Sequence, residues 1–238
     1  MHVARGDGGR PDPHQYFVLG GSRTAERARL TRERVLQAAV RLADEQGLDA
    51  LSMRKLAQTV GVEAMSLYNH VANKDDLLDG IADLVVAEMA VPEIGGDWRA
   101  ALRTRAVSAH EVLRRHPWAT GLIGSRVNVG PAMLRYIDAT LGCLRSAGFT
   151  YQQADRAWNA MDAHIYGFTL RESTFPLEPA EYVSAATYFL PRIPESTHPH
   201  MNALTRLVIE GEHDGVSEFE FGLELILDGL ERLLEVTD

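Results

Sequence analysis

Residues 52–74 read SMRKLAQTVGVEAMSLYNHVANK, and this stretch decides the fold. Ser52 suits an N-cap, because its hydroxyl can accept from a free amide of the first helical turn, and a short helix is expected over 53–60. Gly61 ends it after two turns, and a second short helix is expected from about Glu63 to about His70. Asn73 then caps a long helix that starts at Lys74, reaches Met89 and is stopped by Pro92. Leu56, Ala57, Val62, Leu67 and Val71 form the apolar set that holds the two short helices together, and the small Ala57 permits close approach. The pattern is that of a helix-turn-helix. Its second helix leaves Ala64, Met65, Ser66, Tyr68, Asn69 and His70 on other faces. Small, hydroxyl and amide side chains suit a surface that must hydrogen-bond base edges and touch thymine methyls without collision.

Working outward, the same helical period recurs. Upstream, Thr31 opens a helix with Val35, Leu36, Ala39, Leu42 and Ala43 along one stripe, and Gly47 stops it. Before it, Gly6, Gly8, Gly9, Pro11 and Pro13 deny residues 1–24 a regular element, so a flexible arm is expected there. Arg23, Arg27, Arg29, Arg32 and Arg34 make the helix entrance basic, either as a solvated face or as an arm against phosphates. Downstream, helices are expected over 98–116, 133–147, 154–172 and 218–235. Pro117 is expected to end the first of these, with a break marked by Gly121, Gly124, Gly130 and Pro131. Residues 174–200 hold five prolines and are expected to be loop with at most one short helix over 182–190. No strand-like alternation appears. The fold class is all-α: a helix-turn-helix head over 25–74 and a larger helical domain over 75–238.

The 238 residues suffice for a self-supporting core, and 45% apolar with 24% charged is an ordinary globular mix. A single cysteine, Cys143, excludes an internal disulfide framework and a thiolate zinc finger. No apolar run is long enough to span a bilayer, and the opening residues lack a basic stretch followed by an apolar core, so a cytoplasmic protein without a membrane partner is expected. The total charge of −9 hides an uneven distribution. Residues 1–74 hold 11 basic and 8 acidic residues, a balance of +3, which leaves 13 and 25, or −12, for the remainder. A basic first third permits phosphate contact, which is a local electrostatic matter. Gly-rich phosphate loops, Gly-x-Ser-x-Gly and His-Glu-x-x-His are all missing, so an enzyme is not expected. His198, His200 and His213 could suggest a transition metal, but neighbouring histidines in a Pro-rich loop are more often simply exposed; no cofactor and no metal are expected.

The run from Ser52 through Leu56-Ala57, Gly61-Val62, Leu67-Tyr68, His70 and Asn73-Lys74 strongly resembles the DNA-binding domain of the tetracycline-repressor (TetR) family. Phe221-Gly222-Leu223-Glu224-Leu225-Ile226, followed by Gly229-Leu230-Glu231, resembles the last helix of the tetracycline repressors themselves. The resemblance covers roughly residues 25–235. It implies a regulator, most simply a repressor that binds a palindromic operator as a homodimer and is released by a small molecule. A constitutive DNA-binding protein or, less simply, an enzyme using the C-terminal pocket would be the alternatives.

The resemblance also assigns roles. Ser52, Met53 and Arg54 open the first helix of the motif, and Arg54 matches an arginine that reads guanine through its planar fork; a phosphate contact is the blander alternative. Ala64, Met65 and Ser66 stand at the base-facing start of the recognition helix, where tetracycline repressors carry Gln-Pro-Thr, so a different operator is implied. Ser52, Tyr68, His70 and Lys74 match phosphate-contacting positions, although Tyr68 could instead be core. The dimer would form a four-helix bundle from the helices over 154–172 and 218–235. A small-molecule pocket is implied within the central region, with Trp118, Met133, Tyr136, Trp158, Asp162, His164, Tyr166 and Phe168 as candidate lining, each of which ordinary packing would also explain. Tetracycline with magnesium does not fit. Alignment on Gly124-Ser125-Arg126 puts Leu122 or Ile123 in place of the metal-binding histidine, and Arg171, with Glu172 adjacent, in place of the acidic ligand. The inducer is therefore a different small molecule.

Overall fold

A computed structural model describes residues 30–216 and 218–235; the expected arm over 1–24 and Arg23, Arg27 and Arg29 lie outside the described residues. Among these residues the chain is helical without strands. Helix α1, Arg32–Gln46, starts where Thr31 Oγ1 accepts from the Arg34 amide at 3.3 Å, and it buries Val35, Leu36, Ala38, Ala39, Leu42 and Ala43. Leu51 is fully buried between this helix and the next. Helix α2, Met53–Val60, is capped by Ser52 on the Lys55 amide, and closes on Gly61, whose φ of 72° is a left-handed conformation that glycine adopts without strain. Helix α3, Ala64–Leu67, is shorter than expected; hydrogen-bonded turns from Leu67 to His70 and Val71 complete the segment. Helix α4, Lys74–Val86, is capped by Asn73 on the Asp76 amide, and turns carry it to Met89.

Beyond this, α5 (Trp98–Arg115), α6 (Pro117–Gly124), α7 (Pro131–Ser146), α8 (Tyr151–Thr174) and α11 (Phe219–Glu235) form the larger core, with α9 (Tyr182–Phe189) and α10 (Pro199–Glu210) between α8 and α11. Helix α8 is the hub: α5, α6, α7 and α11 all pack on it. Its start is set by a capping box, with Thr150 and Gln153 satisfying each other's amides. Two expectations are corrected. Pro117 does not merely end α5 but opens α6, which buries Ala119, Thr120, Leu122 and Ile123. Pro199, at the end of the stretch expected to be loop, instead opens α10. Proline is pre-organised for the first helical position, where its missing amide costs nothing.

Helix α4 packs on α1 on one side and on α7 and α6 on the other, so the expected boundary at residue 74 falls where one helix serves both halves. The α1–α4 crossing is tight: a Cβ on Gly80 would lie 2.7 Å from Leu36 Cδ2. No helix among the described residues is long and apolar enough to cross a membrane.

Candidate DNA-reading head and buried polar cluster

In the head, the residues singled out from sequence stand on the outside of the apolar set Leu51, Leu56, Ala57, Leu67 and Val71. Arg54, Asn69 and Lys74 are exposed, Met53, Ala64, Ser66 and His70 are half-buried, and Ser52 is exposed with its hydroxyl engaged as a cap. Met65 is 73% exposed and Tyr68 46% exposed. A methionine so exposed to water is an unusual surface residue, and it sits at the start of α3. Lys74 occupies the first position of α4, where a cation opposes the helix dipole; Asp75 and Asp76 beside it offset the cost.

The head is tied to α4. Arg32 forks onto Asp76 at 2.9 and 2.6 Å and also donates to the His70 carbonyl at 2.9 Å. The Arg32 guanidinium holds the Asp76 carboxyl below the usual carboxylate range, and the Ala72 amide adds to the effect. The other side of α4 is tied to the C-terminal helices. Arg126 donates to Asp79 at 2.8 Å and to Asp75 at 3.2 Å, and Asp83 accepts the amides of Ala132 at 3.2 Å and Met133 at 2.9 Å at the start of α7. A side chain at position 130 would disturb this clasp, because a Cβ on Gly130 would overlap the Asp83 carboxylate and push it aside.

The candidate lining residues fall in three places. Trp118 faces the head: its Nε1 donates to Asp44 of α1 at 2.6 Å, and His116 Nδ1 meets the same carboxylate oxygen at 2.7 Å. Met133 is buried at the α7 start. His164 and Phe168 pack with His110 around Phe219, whose ring is stacked between the two imidazoles at 4.2 and 4.9 Å. Tyr136, Trp158, Asp162 and Tyr166 do come together, around a residue the sequence reading missed, Arg105 of α5. Its guanidinium is fully buried, donates from Nη2 to Asp162 Oδ1 at 2.7 Å, and lies over the Tyr136 ring at 4.3 Å. Trp158 Nε1 donates to the other Asp162 oxygen at 2.6 Å. Burial raises both the Tyr136 and Tyr166 hydroxyls, with Asp162 adding to each, so both stay protonated. The one available signal was register: Arg105 follows Leu102 by three in an otherwise apolar stripe.

Arg105 Nε and Nη1, the Tyr136 hydroxyl and the Thr120 hydroxyl have no partner. A buried donor without an acceptor costs about 1–3 kcal/mol, so this cluster carries an unmet demand. A separate open cleft of about 440 Å3 lies between the end of α8, α9 and α10, with Phe175, Tyr182, Phe189 and Met201 among its walls. Among the described residues no group of three or more His, Cys, Asp or Glu side chains could hold a metal ion.

Residues 35–81 match the profile of bacterial regulatory proteins of the tetR family, and residues 91–234 match that of the tetracyclin repressor-like C-terminal domain. The HTH-type transcriptional repressor DrrR1 of Streptomyces coeruleorubidus is 35% identical over 86% of this chain and 78% of its own length. The tetracycline repressor protein class D of Escherichia coli is 32% identical over 86% and 90%. The crystal structure of the TetR family protein ActR of Streptomyces coelicolor in complex with actinorhodin superposes with a TM-score of 0.75 at 30% identity, over 87% of this chain and 99% of that one. With a helix-turn-helix head outside its core and two profiles spanning nearly all the described residues, the chain belongs to the TetR family of bacterial regulatory proteins and is a DNA-binding transcriptional regulator.

Proposed function

We propose that the protein is a homodimeric cytoplasmic repressor that binds a palindromic operator and is released by a small organic molecule. The head over 25–74 reads DNA. Arg54 and the α3 residues Ala64, Met65 and Ser66 face bases, and Ser52, Met53, Tyr68, Asn69, His70 and Lys74 fix the register on the backbone. The domain over 75–238 binds the ligand near Tyr136, Trp158, Asp162 and Tyr166, and pairs with a second copy through α8 and α11. The repressor names of relatives and the ActR–actinorhodin complex support this reading. Tetracycline with magnesium is not the inducer proposed: Leu122, Ile123 and Arg171 offer no hard-cation ligand.

The single observation that carries the mechanism is that α4 is clasped on both sides, by Arg32 to the head and by Arg126 and the α7 start to the ligand domain. A ligand that shifts α7 moves α4 with it and alters the spacing of two heads that must meet half-sites about 34–36 Å apart. The ligand has to prefer the DNA-incompetent arrangement; a coupling of about 1–3 kcal/mol changes operator affinity by roughly 5–150-fold. Selection of fragments of the source genome on the purified chain, with Arg54→Ala in parallel, tests the reading. Enrichment of one palindrome that the variant loses is expected; no enrichment by the unaltered chain overturns it.

A further inference from the structure

Around Arg105, donors outnumber acceptors. The one carboxylate in contact with the guanidinium, Asp162, already takes Arg105 Nη2 on one oxygen and Trp158 Nε1 on the other. That leaves Arg105 Nε and Nη1 and the Tyr136 hydroxyl without acceptors, in a place with no access to water. The surrounding surfaces are flat: the Tyr136 ring lies under the guanidinium, and Trp158 and Tyr166 flank Asp162. A closed site that is short of acceptors and walled by rings selects what it lacks.

We propose that this cluster is the seat of an acidic aromatic ligand, a planar ring system whose carboxylate, enolate or phenolate oxygen takes the free edge of Arg105 and the Tyr136 hydroxyl. This rests on the ligand-release reading only in placing the small-molecule site in this domain. An arginine edge and an anionic oxygen form charge-assisted hydrogen bonds, stronger than those to a neutral carbonyl. The cluster is closed, with Arg105 and Tyr136 at 0% and 2% exposure, so the ligand enters only by parting α5, α7 and α8. Tyr136 stands on the helix whose first amides are clasped to Asp83 of α4, which links occupancy to the head. A ligand that binds only the parted arrangement shifts the population toward it.

The test uses the full chain and three probes with the same substitution pattern: 1-hydroxy-2-naphthoate, its neutral amide 1-hydroxy-2-naphthamide, and the cationic 2-aminomethyl-1-naphthol. Binding is read by calorimetry, and release by fluorescence anisotropy of a labelled operator fragment. The anion is expected to bind about tenfold or more tighter than the amide, and the cation not at all. Arg105→Gln should abolish that preference. Because this variant leaves Asp162 buried without its partner and can cost the fold, two milder variants keep the test decisive. Tyr136→Phe should weaken the anion several-fold while sparing the amide. Asp162→Asn, which frees the arginine from its internal counter-ion, should tighten the anion; a purely structural pair would not do this. Equal binding of anion and amide, no binding of the anion at about 1 mM, or no gain in Asp162→Asn overturns the assignment. Anion binding that leaves operator affinity unchanged upholds the ligand class and removes the release reading. Operator release by other molecules, without anion preference, does the reverse.

Discussion

Arg54 and Lys74 are both exposed cations with no ion pair among the described residues, yet the chemistry open to them differs. A guanidinium fork can pair with guanine O6 and N7, whereas a lysine at the first position of α4 is a point charge suited to phosphate. Arg54→Ala should weaken specific binding by about 1–3 kcal/mol and relax choice at one base pair. Lys74→Ala should lower affinity for all sequences alike and reduce the slope of log affinity against log salt by about one. Titrations of operator variants over a salt series check both, and equal sequence effects would sink the distinction. His110 offers a different residue-level test. Thr169 Oγ1 donates to the Ile165 carbonyl, so His110 Nδ1 must donate to Thr169, which leaves Nε2 bare, 3.5 Å from Glu172. Burial pushes the imidazole below its ordinary value, with Arg114 and His164 adding to this and Glu172 and Glu111 opposing it. The unfolded chain therefore takes up this proton first, at about pH 6.5, and the folded chain only lower. Stability from this group is complete above that pH and falls as acid is added. His110→Gln keeps a donor for Thr169 and should narrow the Tm difference between about pH 7.5 and about pH 5.5; an unchanged difference would contradict the assignment.

Among the elements, α4 matters most, because each of its two sides is fixed by a different chemistry. On the head side a close helix crossing and an ion pair serve, at Gly80 and Asp76; on the other side Asp83 satisfies two amides at the start of α7. Gly130→Ala would push the Asp83 carboxylate out of that clasp. Two amides would lose a charged acceptor, at a cost of about 1–3 kcal/mol, and α7 would be uncoupled from α4. Thermal unfolding should show the loss, and the ligand that releases the unaltered chain should release Gly130→Ala less completely. Gly80→Ala differs: it overpacks the crossing against Leu36 at about 1–3 kcal/mol and should weaken operator binding with or without ligand. The elements also show what the sequence made legible. Ser52, Gly61 and Asn73 are local signals, hydrogen-bonding or bending within four residues, and α2 and the α4 start follow from them. Pro117 and Pro199 carry opposite meanings at a helix end and at a helix start, and only the burial of Leu122, Ile123 or Val208 decides which applies. The buried polar cluster was half legible for the same reason. Tyr136, Trp158, Asp162 and Tyr166 stand out by type, but that Arg105 turns inward, and that Trp118 turns to Asp44, depends on partners 57 and 74 residues away.

At the scale of the molecule, charge and apolar surface point to one arrangement. The segment 1–74 carries +3 and the remainder −12, so DNA attracts the head and repels the rest, which orients the approach. Much of the acid on α11 is internally answered: Arg99 meets Glu224 and Asp228, each at 2.6 Å, and Arg103 meets Glu220 and Glu224. That network fixes α11 to α5 along one side. Another side of α11 presents Phe221 at 67% exposure and Leu225 at 60%, and α8, which packs on α11, exposes Leu170 at 48%. Helices of ordinary surface type do not leave such residues in water, and a second copy would cover them in a two-fold bundle. Leu225→Glu places a charge in that seam without touching the α5 network or the buried stripe of Phe219, Leu223, Leu227 and Leu230. Sedimentation should then report a monomer with undiminished helix content by circular dichroism. Since a palindrome is held tightly only when both heads bind at once, operator affinity should fall by roughly 10²–10⁴-fold, toward that of one head on one half-site. Affinity for a single half-site should not change, because Arg54 and α3 are untouched. A variant that stays dimeric would remove α11 from the interface, and a monomer with full operator affinity would show that one head suffices.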